Sequence, residues 1–493
     1  MAGDDLTLSN LARIRQVART GDTLRAWRMF ETAGLLASNQ PDALSLRGRL
    51  LKDRALQADG DQRSALFDQA EAAYLQSAGS RRATYPLINA ATIAFFNGKT
   101  DQARLLAEKT LALLDSGSHD PETHYWLGAT RAEAELLLGH FDAGKATLEA
   151  AIAKTPSAWE DHAATLGQLR LILERAGKPA ALLDHLRPPA SLHFSGLIGL
   201  THDDQSARAA IGAAFNAIRP GFVFGALAAG ADIVVAEMAI ARGAQLHVVL
   251  PTSIASFREQ SVARFGADWA VRFDRLIDVA EMVETLADGD TLSEAGITLG
   301  EEVAMGLAIR RARTLASEAV ALRVRRPADP PFPSETAWRH RGLAFHDVMV
   351  ERSAARSDQP LAPRIRRAIV ASARPLPAGL PLPAGAIGAT LAGTAIVQFD
   401  SLADAADFAV AALRAAPDNR IGLDYRIVGG EPLDEIAEIA MLLARAAPEA
   451  SIYAASPGAL AMDLHAPHLR FEAAGEIVTP IGDIPVSMLS PSI

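Results

Sequence analysis

Two glycines, Gly225 and Gly230, bracket a short loop that suits the binding of a phosphate group. The loop follows an apolar run, Phe222 to Phe224, and precedes an amphipathic helix. Free backbone N–H groups and the helix dipole favour negative charge at a helix N-terminus, and glycines let the backbone approach a ligand closely. The pattern therefore predicts a β-loop-α-β unit with a phosphate-binding loop.

Two carboxylates follow this loop. Asp232 falls in the first helical turn, where it either caps free N–H groups or contacts a ribose or a base. Glu237 lies about 140° further around the helix, so the two carboxylates do not form an acid/base pair. His202, followed by Asp203 and Asp204, is either an ordinary solvated loop residue or a ligand contact. We therefore predict no catalytic residue here.

The elements that would position these residues alternate between apolar strands and helices over residues 189–326. A first strand is predicted at Ser191 to Leu197, a helix at about Ser206 to Ile218 and a closing strand at Ala319 to Arg325. Strands that alternate with helices are typical of a doubly wound α/β sheet covered on both faces.

Short motifs in this region point to a family. They are FSG at 194–196, GALAAGAD at 225–232, Ala236-Glu237, HVVLP at 247–251 and F-x-x-x-S-V at 257–262. These motifs resemble the SLOG superfamily of Rossmann-like domains, which bind nucleotides or related ligands. The resemblance implies a nucleotide-type ligand held by Ser195, Gly196, Gly225, Gly230, Asp232 and Glu237. The nucleoside-cleaving LOG members carry Pro-Gly-Gly-x-Gly-Thr followed by Glu, which this loop lacks, so hydrolysis of that kind is not expected.

Residues 1–188 are rich in Ala and Leu at helical spacing and show almost no strand signal. Helix pairs are predicted around the turns at Asn97-Gly98 and Gly139-His140. An aromatic residue starts the first helix, a glycine precedes the turn and a small residue begins the second helix, which resembles tetratricopeptide repeats. We expect roughly three or four degenerate repeats. They would stack into a solenoid whose concave side binds a protein partner or packs on the rest of the chain.

The composition changes after residue 326. The proline-rich PADPPFPSE opens a predicted linker with one helix over 327–363, and a final domain is predicted over 364–493. The strands, helices and closing hairpin of this tail resemble a class III adenylate/guanylate cyclase homology domain, which implies an α+β ferredoxin-like fold. The order of repeats, SLOG-like domain and cyclase-like tail is similar to that of a family of bacterial proteins.

The cyclase resemblance implies two metal-binding Asp residues and an Asn and an Arg for the nucleotide. Those positions fall here on Ser372, Ala392, Ala437 and Met441. The tail is therefore predicted to be a catalytically dead pseudo-cyclase that homodimerises, docks on an intact cyclase or has a purely structural role. A His465-x-x-His468 pair has no further ligand cluster and is interpreted as a surface feature.

Composition excludes several classes of partner and site. The 48 Lys and Arg residues against 58 Asp and Glu residues, a formal net charge of -10, give no indication of a nucleic-acid or membrane partner. Cysteine is absent, which excludes disulfides and thiolate metal sites and fits a reducing compartment. We predict no metal and no cofactor. The N-terminus shows no signal-peptide pattern, so we expect a cytoplasmic protein.

These patterns favour a multidomain, non-enzymatic regulatory or scaffold protein. Its repeats would bind a protein partner, its SLOG-like domain would sense a nucleotide-type ligand and its tail would dimerise. An alternative is a nucleotide-processing hydrolase or transferase that uses Asp232, Glu237 or His202. A third possibility is a structural protein that binds no small molecule.

Overall fold

The chain divides into two compact units, one up to Pro188 and one from Pro189 onwards. The structure, a computed structural model, describes residues 10–15, 17–18, 23–79, 81–200, 204–286, 291–350, 361–377, 379–480 and 482–489. Among these residues, every strand belongs to the second unit, and the first unit is built from helices and their turns.

The first unit consists of helices joined in pairs by short turns. The helices are α1 (Thr23–Thr32), α2 (Pro41–Gln57), α3 (Gly60–Ala78), α4 (Thr84–Phe96), α5 (Thr100–Asp115), α6 (His124–Leu137), α7 (Phe141–Lys154) and α8 (Trp159–Arg175), with 3-10 helices at Leu35–Ala37 and Ala180–Leu186. Gly98 and Gly139 turn the chain after α4 and α6 with φ of 78° and 82°, a backbone conformation that favours glycine. The predicted helical, tetratricopeptide-like region is confirmed.

Apolar stripes of neighbouring helices form the core of this unit. Phe67 and Tyr74 of α3 are buried with Leu87 of α4 and Leu106 of α5. Small residues allow close crossings, because a Cβ at Gly48 would lie 2.7 Å from the Tyr74 ring. No helix pair could bury its apolar face alone, so the pairs stack on one another.

A six-stranded parallel sheet forms the first half of the second unit. Its strands are β1 (Ser191–Gly196), β2 (Phe222–Gly225), β3 (Gln245–Leu250), β4 (Met282–Thr285), β5 (Ala319–Arg325) and β6 (Ala344–Met349), in the order β4-β3-β2-β1-β5-β6. The helices are α9 (Gln205–Ile218), α10 (Ala231–Ala241), α11 (Ile254–Ser261), α12 (Ala267–Val279), α13 (Glu294–Thr314) and α14 (Pro333–His340), with a 3-10 helix at Ala263–Phe265. A core of α9, α10 and α12 residues covers one face.

The second half of this unit contains a seven-stranded mixed sheet. Its strands are β7 (Ile365–Ser372), β8 (Ile387–Leu391), β9 (Thr394–Phe399), β10 (Arg420–Val428), β11 (Ser451–Ala455), β12 (Glu472–Thr479) and β13 (Gly482–Leu489), in the order β12-β13-β11-β10-β7-β9-β8. Its helices are α15 (Leu402–Ala415), α16 (Leu433–Ala446) and α17 (Ser456–His465). Only the β10–β11 pair is parallel among the strand pairs described. The chain thus consists of a helical region followed by a parallel sheet and a mixed sheet with their helices, which is compatible with the predicted multidomain layout.

The segment predicted as a linker contributes to the parallel sheet. It holds the expected helix, α14, and also β6, which pairs with β5 along its whole length. Ala319–Arg325, expected to be the closing strand, therefore has β6 on its outer side. The sequence pattern of β6 is weak because an edge strand keeps polar residues such as His346 and Asp347 partly exposed to solvent.

Helix α13 connects the two sheets. It packs against β1, β2, β3 and β5 of the parallel sheet and also against α17, β7 and β10 of the mixed-sheet half. A Cβ at Gly306 of α13 would overlap the carbonyl oxygen of Leu460 on α17, so the two helices cross at close range. Glycine is required at this crossing.

Candidate functional site

The carboxyl ends of β1 and β5 form the edge at which several predicted residues meet. β1 pairs with β2 on one side and with β5 on the other, so the chain order reverses between β1 and β5. Ligands of open α/β sheets bind outside the carboxyl ends of the strands at such a switch point. Ser195 and Gly196 end β1 here, and Asp232 lies in the first turn of α10 beside the Gly196 backbone N–H.

Gly230 serves close backbone packing. Its φ is 128°, and a Cβ there would overlap the carbonyl oxygen of Leu197. The N–H groups on either side of Gly230 are used within the chain. Ala229 N–H donates to the Ser261 carbonyl at 3.0 Å, and Ala231 N–H donates to the Leu197 carbonyl at 3.0 Å. The loop therefore holds the segment after β1 against the start of α10.

Gly225 and Gly196 also stand at close approaches. A Cβ at Gly225 would lie 2.5 Å from the Phe194 carbonyl oxygen, and one at Gly196 would lie 2.6 Å from the Ala231 Cβ. Both glycines let β1, β2 and α10 pack tightly. Contacts within the chain are therefore sufficient to explain why glycine stands at both positions.

Asp232 is a buried carboxyl group, and hydrogen bonds and a nearby positive charge offset only part of the cost of its burial. Its side chain is 6% exposed, and Oδ2 accepts a hydrogen bond from the Ala228 N–H at 3.2 Å. Burial raises the pKa of Asp232 to about 8, although the Ala228 N–H, Arg323 and the Gly196 N–H favour the charged form. The group is therefore mostly protonated at neutral pH and can donate a hydrogen bond.

Glu237 takes part in a separate interaction. Arg272 of α12 donates to both of its carboxylate oxygens at 2.7 Å, and the same guanidinium lies 4.1 Å from the Trp269 ring centroid. The carboxylate is thus bound between α10 and α12. The structure brings Ser195, Gly196 and Asp232 to one edge, and it joins Glu237 to α12.

Glu301 of α13 lies at the centre of a buried polar network on β1 and β5. Its Oε1 accepts hydrogen bonds from Arg323 Nη1 at 2.8 Å and from Ser195 Oγ at 3.2 Å. Ser334 Oγ donates to Oε2 at 2.7 Å, and His193 Nε2 lies 3.8 Å from Oε1. Burial alone would raise the pKa of Glu301, but His193, Arg323 and Ser334 outweigh it and lower the pKa to about 2. The carboxylate is therefore ionised and paired.

The segment before and within α14 covers this network. The Phe332 ring lies 3.8 Å from the Arg323 guanidinium. Beside the segment opens a cavity of about 440 Å³ whose lining includes Arg325, Glu335 and Arg339. Both arginines pair with Glu335, at 3.2 and 3.1 Å, and with Asp347, at 2.7 and 2.9 Å. The four side chains form a closed ring of alternating charges.

Hydrogen bonds between polar side chains connect the first helices of the repeat pairs. We call the surface that these side chains form the inner face. Lys52 Nζ of α2 donates to Gln168 Oε1 of α8 at 3.1 Å. Gln168 Nε2 and Thr92 Oγ1 of α4 both donate to Glu133 Oε1 of α6, at 3.1 and 2.5 Å. The chain of contacts thus runs through α2, α8, α6 and α4, leaving out the second helices of the pairs.

The inner face combines a recessed environment with accessible side chains. Burial lowers the pKa of Lys52 and raises the pKa of Glu133. Tyr85, at the start of α4, is 42% exposed and makes an edge contact with the buried Tyr74 ring. A face with recessed charges and an open aromatic ring can contribute hydrogen bonds and apolar area to a bound chain.

The four positions compared with a cyclase site carry no carboxylate. Ser372, at the end of β7, is buried; its Oγ donates to the Arg374 carbonyl and accepts from Asn419 Nδ2 at 2.8 Å. Ala392 forms the β8–β9 turn with φ of 48°, at the same end of the sheet, while Ala437 and Met441 pack into an apolar cluster on α16. Within the described residues, no group of three or more His, Asp or Glu side chains could hold a metal ion.

The two histidines of the predicted pair make separate contacts, and Asp204 is the part of the polar loop after β1 that lies among the described residues. His465 Nε2 lies 3.1 Å from the buried Glu302 carboxylate, so this histidine takes part in an internal contact, unlike the predicted surface feature. His468 is exposed and contacts Asp407. His202 and Asp203 lie outside the described residues, and Asp204 caps α9 through the Ala207 N–H at 2.9 Å.

Sequence reasoning missed the charged residues of α13. Glu301 and Glu302 are adjacent; Glu302 is buried, and the side chain of Glu301 is only 9% exposed. Glu302 accepts hydrogen bonds from Arg366 and from Tyr425 Oη. The available signal was GEE between apolar residues in the middle of a long helix, because buried carboxylates require partners. Their partners come from β1, β5, β7, β10 and α14, which the local pattern does not reveal.

Comparisons with known proteins agree with the helical part. Residues 6–94 match the family model described as Tetratricopeptide Repeats-Sensor. Comparison with curated proteins gives no match. In the described part of the chain, no helix has the length and apolar character needed to cross a membrane. The N-terminal repeats therefore suggest protein partners.

Proposed function

We propose that this protein is a regulatory scaffold whose inner face binds a protein partner and whose parallel sheet binds a nucleotide-type ligand. Support for the partner site comes from the match of residues 6–94 to a repeat family whose description includes the word sensor. Tetratricopeptide-like repeats that stack into a solenoid offer an extended surface for a partner.

The observation that carries the proposal is the inner face itself. Lys52, Glu133 and Gln168 are held in fixed positions by mutual hydrogen bonds, so their remaining hydrogen-bonding capacity is ordered before a partner arrives. Tyr85 adds an exposed aromatic ring within the electrostatic range of Glu133. Aromatic anchors beside buried polar groups are typical of binding hot spots.

The partner site is tested by quantitative affinity capture with the full chain. Tyr85→Ala should reduce recovery of the specific partner about tenfold or more, because loss of an aromatic anchor costs about 2 kcal/mol of binding energy. Leu105→Ala is the matched control, since Leu105 is 60% exposed but lies on α5, the second helix of its pair. Equal recovery with Tyr85→Ala, or loss with Leu105→Ala, contradicts a site on the inner face.

The ligand site is proposed at the β1–β5 edge. The carboxyl group of Asp232, with its pKa of about 8, can donate a hydrogen bond to a ribose or base acceptor, and Ser195 and Gly196 border the same edge. Gly225 and Gly230 shape this edge by holding β2 and α10 close to β1. The ligand would contact this surface from the carboxyl end of the sheet.

A nucleotide screen tests this part of the proposal. A nucleotide at about one hundred times its Kd should stabilise the wild-type chain by about 2.7 kcal/mol. Asp232→Ala should lose most of that gain, because alanine cannot donate the hydrogen bond, whereas Glu237→Gln, on the same helix but bound to Arg272, should keep it. Stabilisation of Asp232→Ala equal to that of wild type would remove Asp232 from the site.

The tail is proposed to be a pseudo-cyclase that dimerises or docks on an intact cyclase. Two-metal cyclisation needs carboxylates at positions that here carry Ser372 and Ala392. The purified chain should therefore form no cyclic nucleotide from ATP or GTP with Mg²⁺ or Mn²⁺. Measurable product that disappears in Asp424→Asn, the carboxylate of β10 beside these strands, would contradict this assignment.

A further inference from the structure

Two arginines of α13 bind one buried carboxylate of α17, and a third arginine lies within its electrostatic range. Arg310 Nε donates to Asp463 Oδ2 at 2.6 Å, and Arg313 Nη1 donates to Oδ1 at 2.8 Å. Arg310 also donates to the Ala459 carbonyl at 3.1 Å, so its fork is fixed by two acceptors on α17. Asp463 is 3% exposed, and both of its oxygens are thus occupied.

Arg341 follows α14. Together with Arg310 and Arg313 it forms a group that we call the seam arginine cluster. The Arg341 guanidinium responds electrostatically to both Asp463 and Arg313. Its Nη1 is buried and makes no hydrogen bond within the described part of the chain. Burial and the Arg313 charge lower the pKa of Arg341, whereas Asp463 raises it. A cation held among cations with an unused donor is costly unless an acceptor is supplied.

The surrounding charges leave an excess of positive charge. Glu472 lies near Arg310 and Arg313, but Arg470 is beside it. Glu284 also responds to Arg310. Burial raises the pKa of both Glu472 and Glu284, which favours their protonated, uncharged form. Of the charged groups named here, four are guanidinium groups and three are carboxyl groups, although the whole chain has a formal charge of -10.

We propose that the seam arginine cluster binds the phosphate group of a phosphorylated ligand. Arg341 supplies the free donors, and Arg313, which is 31% exposed, completes a guanidinium pair. A guanidinium fork matches the oxygens of a phosphate, and the negative charge balances the local excess. A phosphate here would connect α17 with two elements, α13 and the segment after α14. Binding would therefore stabilise the second unit.

The test compares the full wild-type chain with Arg341→Gln in inorganic pyrophosphate at constant ionic strength. Without pyrophosphate, Arg341→Gln should have a Tm equal to or above that of wild type, because it removes a buried charge with an unused donor. With pyrophosphate, the wild-type Tm should rise by several degrees, and the Arg341→Gln Tm should not. An arginine with a purely structural role would instead lower the Tm in the absence of pyrophosphate.

Arg414→Gln is the matched control, since it removes the same charge from an exposed position in the last turn of α15. It should keep the full pyrophosphate shift, and so should Asp232→Ala, which removes the donor of the other proposed ligand site. ATP added at the same concentration to Asp232→Ala, in which the other proposed site is removed, separates the sources: a larger shift than with pyrophosphate identifies a nucleotide, and an equal shift identifies free phosphate. An unshifted wild-type Tm, or an equal shift in Arg341→Gln, overturns the proposal.

Discussion

The loop Gly225–Gly230 and the seam arginine cluster differ in how much of their hydrogen-bonding capacity the chain itself uses. Ala229 and Ala231 in and after the loop donate to backbone carbonyls, and Gly230 leaves room for the Leu197 carbonyl. The arginine cluster holds a buried guanidinium nitrogen with no acceptor among the described residues. The loop carries the better-known sequence pattern, and the cluster carries the unused donor.

This difference shows why glycines before a helix are weak indicators of a ligand. The same close backbone approach that admits a phosphate also admits a neighbouring strand, and the sequence looks alike in both cases. Unused donors and unbalanced charge are more informative, because the folded chain alone does not compensate for their burial.

The largest expected effect follows from the network at the β1–β5 edge. Glu301→Gln should lower the free energy of unfolding by about 3–5 kcal/mol at pH 7, because it leaves Arg323 buried without its charged partner. The folded pKa of Glu301 is about 2 and its ordinary value is 4.5, so this stabilisation is present above pH 4.5 and is lost as the pH falls towards 2. Urea denaturation measures both effects.

Glu294→Gln is the control for that experiment, because Glu294 is exposed in the first turn of the same helix. It should cost less than about 1 kcal/mol. Equal costs for the two variants would mean that the edge is less closed than its hydrogen bonds indicate.

The second effect compares the two ends of α10. Gly230→Ala should destabilise the chain by about 3 kcal/mol, because the new methyl group overlaps the Leu197 carbonyl and the backbone has a φ of 128°. Gly243→Ala, where φ is 74° and nothing lies within 4 Å, should cost only about 1 kcal/mol. Denaturation curves that rank the variants in the opposite order would reveal an open loop at Gly230.

A third effect concerns the pH dependence set by Asp232. Its folded pKa of about 8 lies above the ordinary 3.8, so its contribution to stability is complete below pH 3.8 and is lost as the pH rises to 8. Relative to Asp232→Asn, wild type should lose up to about 1.4 kcal/mol per pH unit in this window. Parallel stability profiles for the two proteins would place Asp232 in a more polar environment.

The smallest effect belongs to the carboxylate that faces away from the edge. Glu237→Gln should cost about 0.2–1 kcal/mol, because its partner Arg272 remains partly exposed and keeps its contact with the Trp269 ring. The cost should shrink further in high salt. A loss comparable to that of Glu301→Gln would show that Glu237 belongs to the buried network.

Periodic elements could be predicted from the sequence. Helix pairs with glycine turns at Gly98 and Gly139, and apolar strands alternating with helices, follow from local spacing and appear in the structure. The edge strand β6 could not be predicted with equal ease, because residues 344–349 lack a continuous apolar face.

Only part of the candidate site could be predicted from the sequence. Asp232 could be selected from its position in the first turn of a helix. Glu301 and Arg341 depend on partners at least twenty residues away in the sequence, so their pairing is a property of the tertiary fold. The ligand and partner assignments for the site residues remain predictions.

Hydrogen exchange of the full chain, measured with and without the partner that Tyr85→Ala fails to capture, tests the central claim most directly. A partner on the inner face should slow exchange in α2, α4, α6 and α8, the helices joined by Lys52, Thr92, Glu133 and Gln168. Exchange in α3, α5 and α7 should change much less. Protection confined to those second helices, or found only beyond Pro188, would contradict the proposed scaffold.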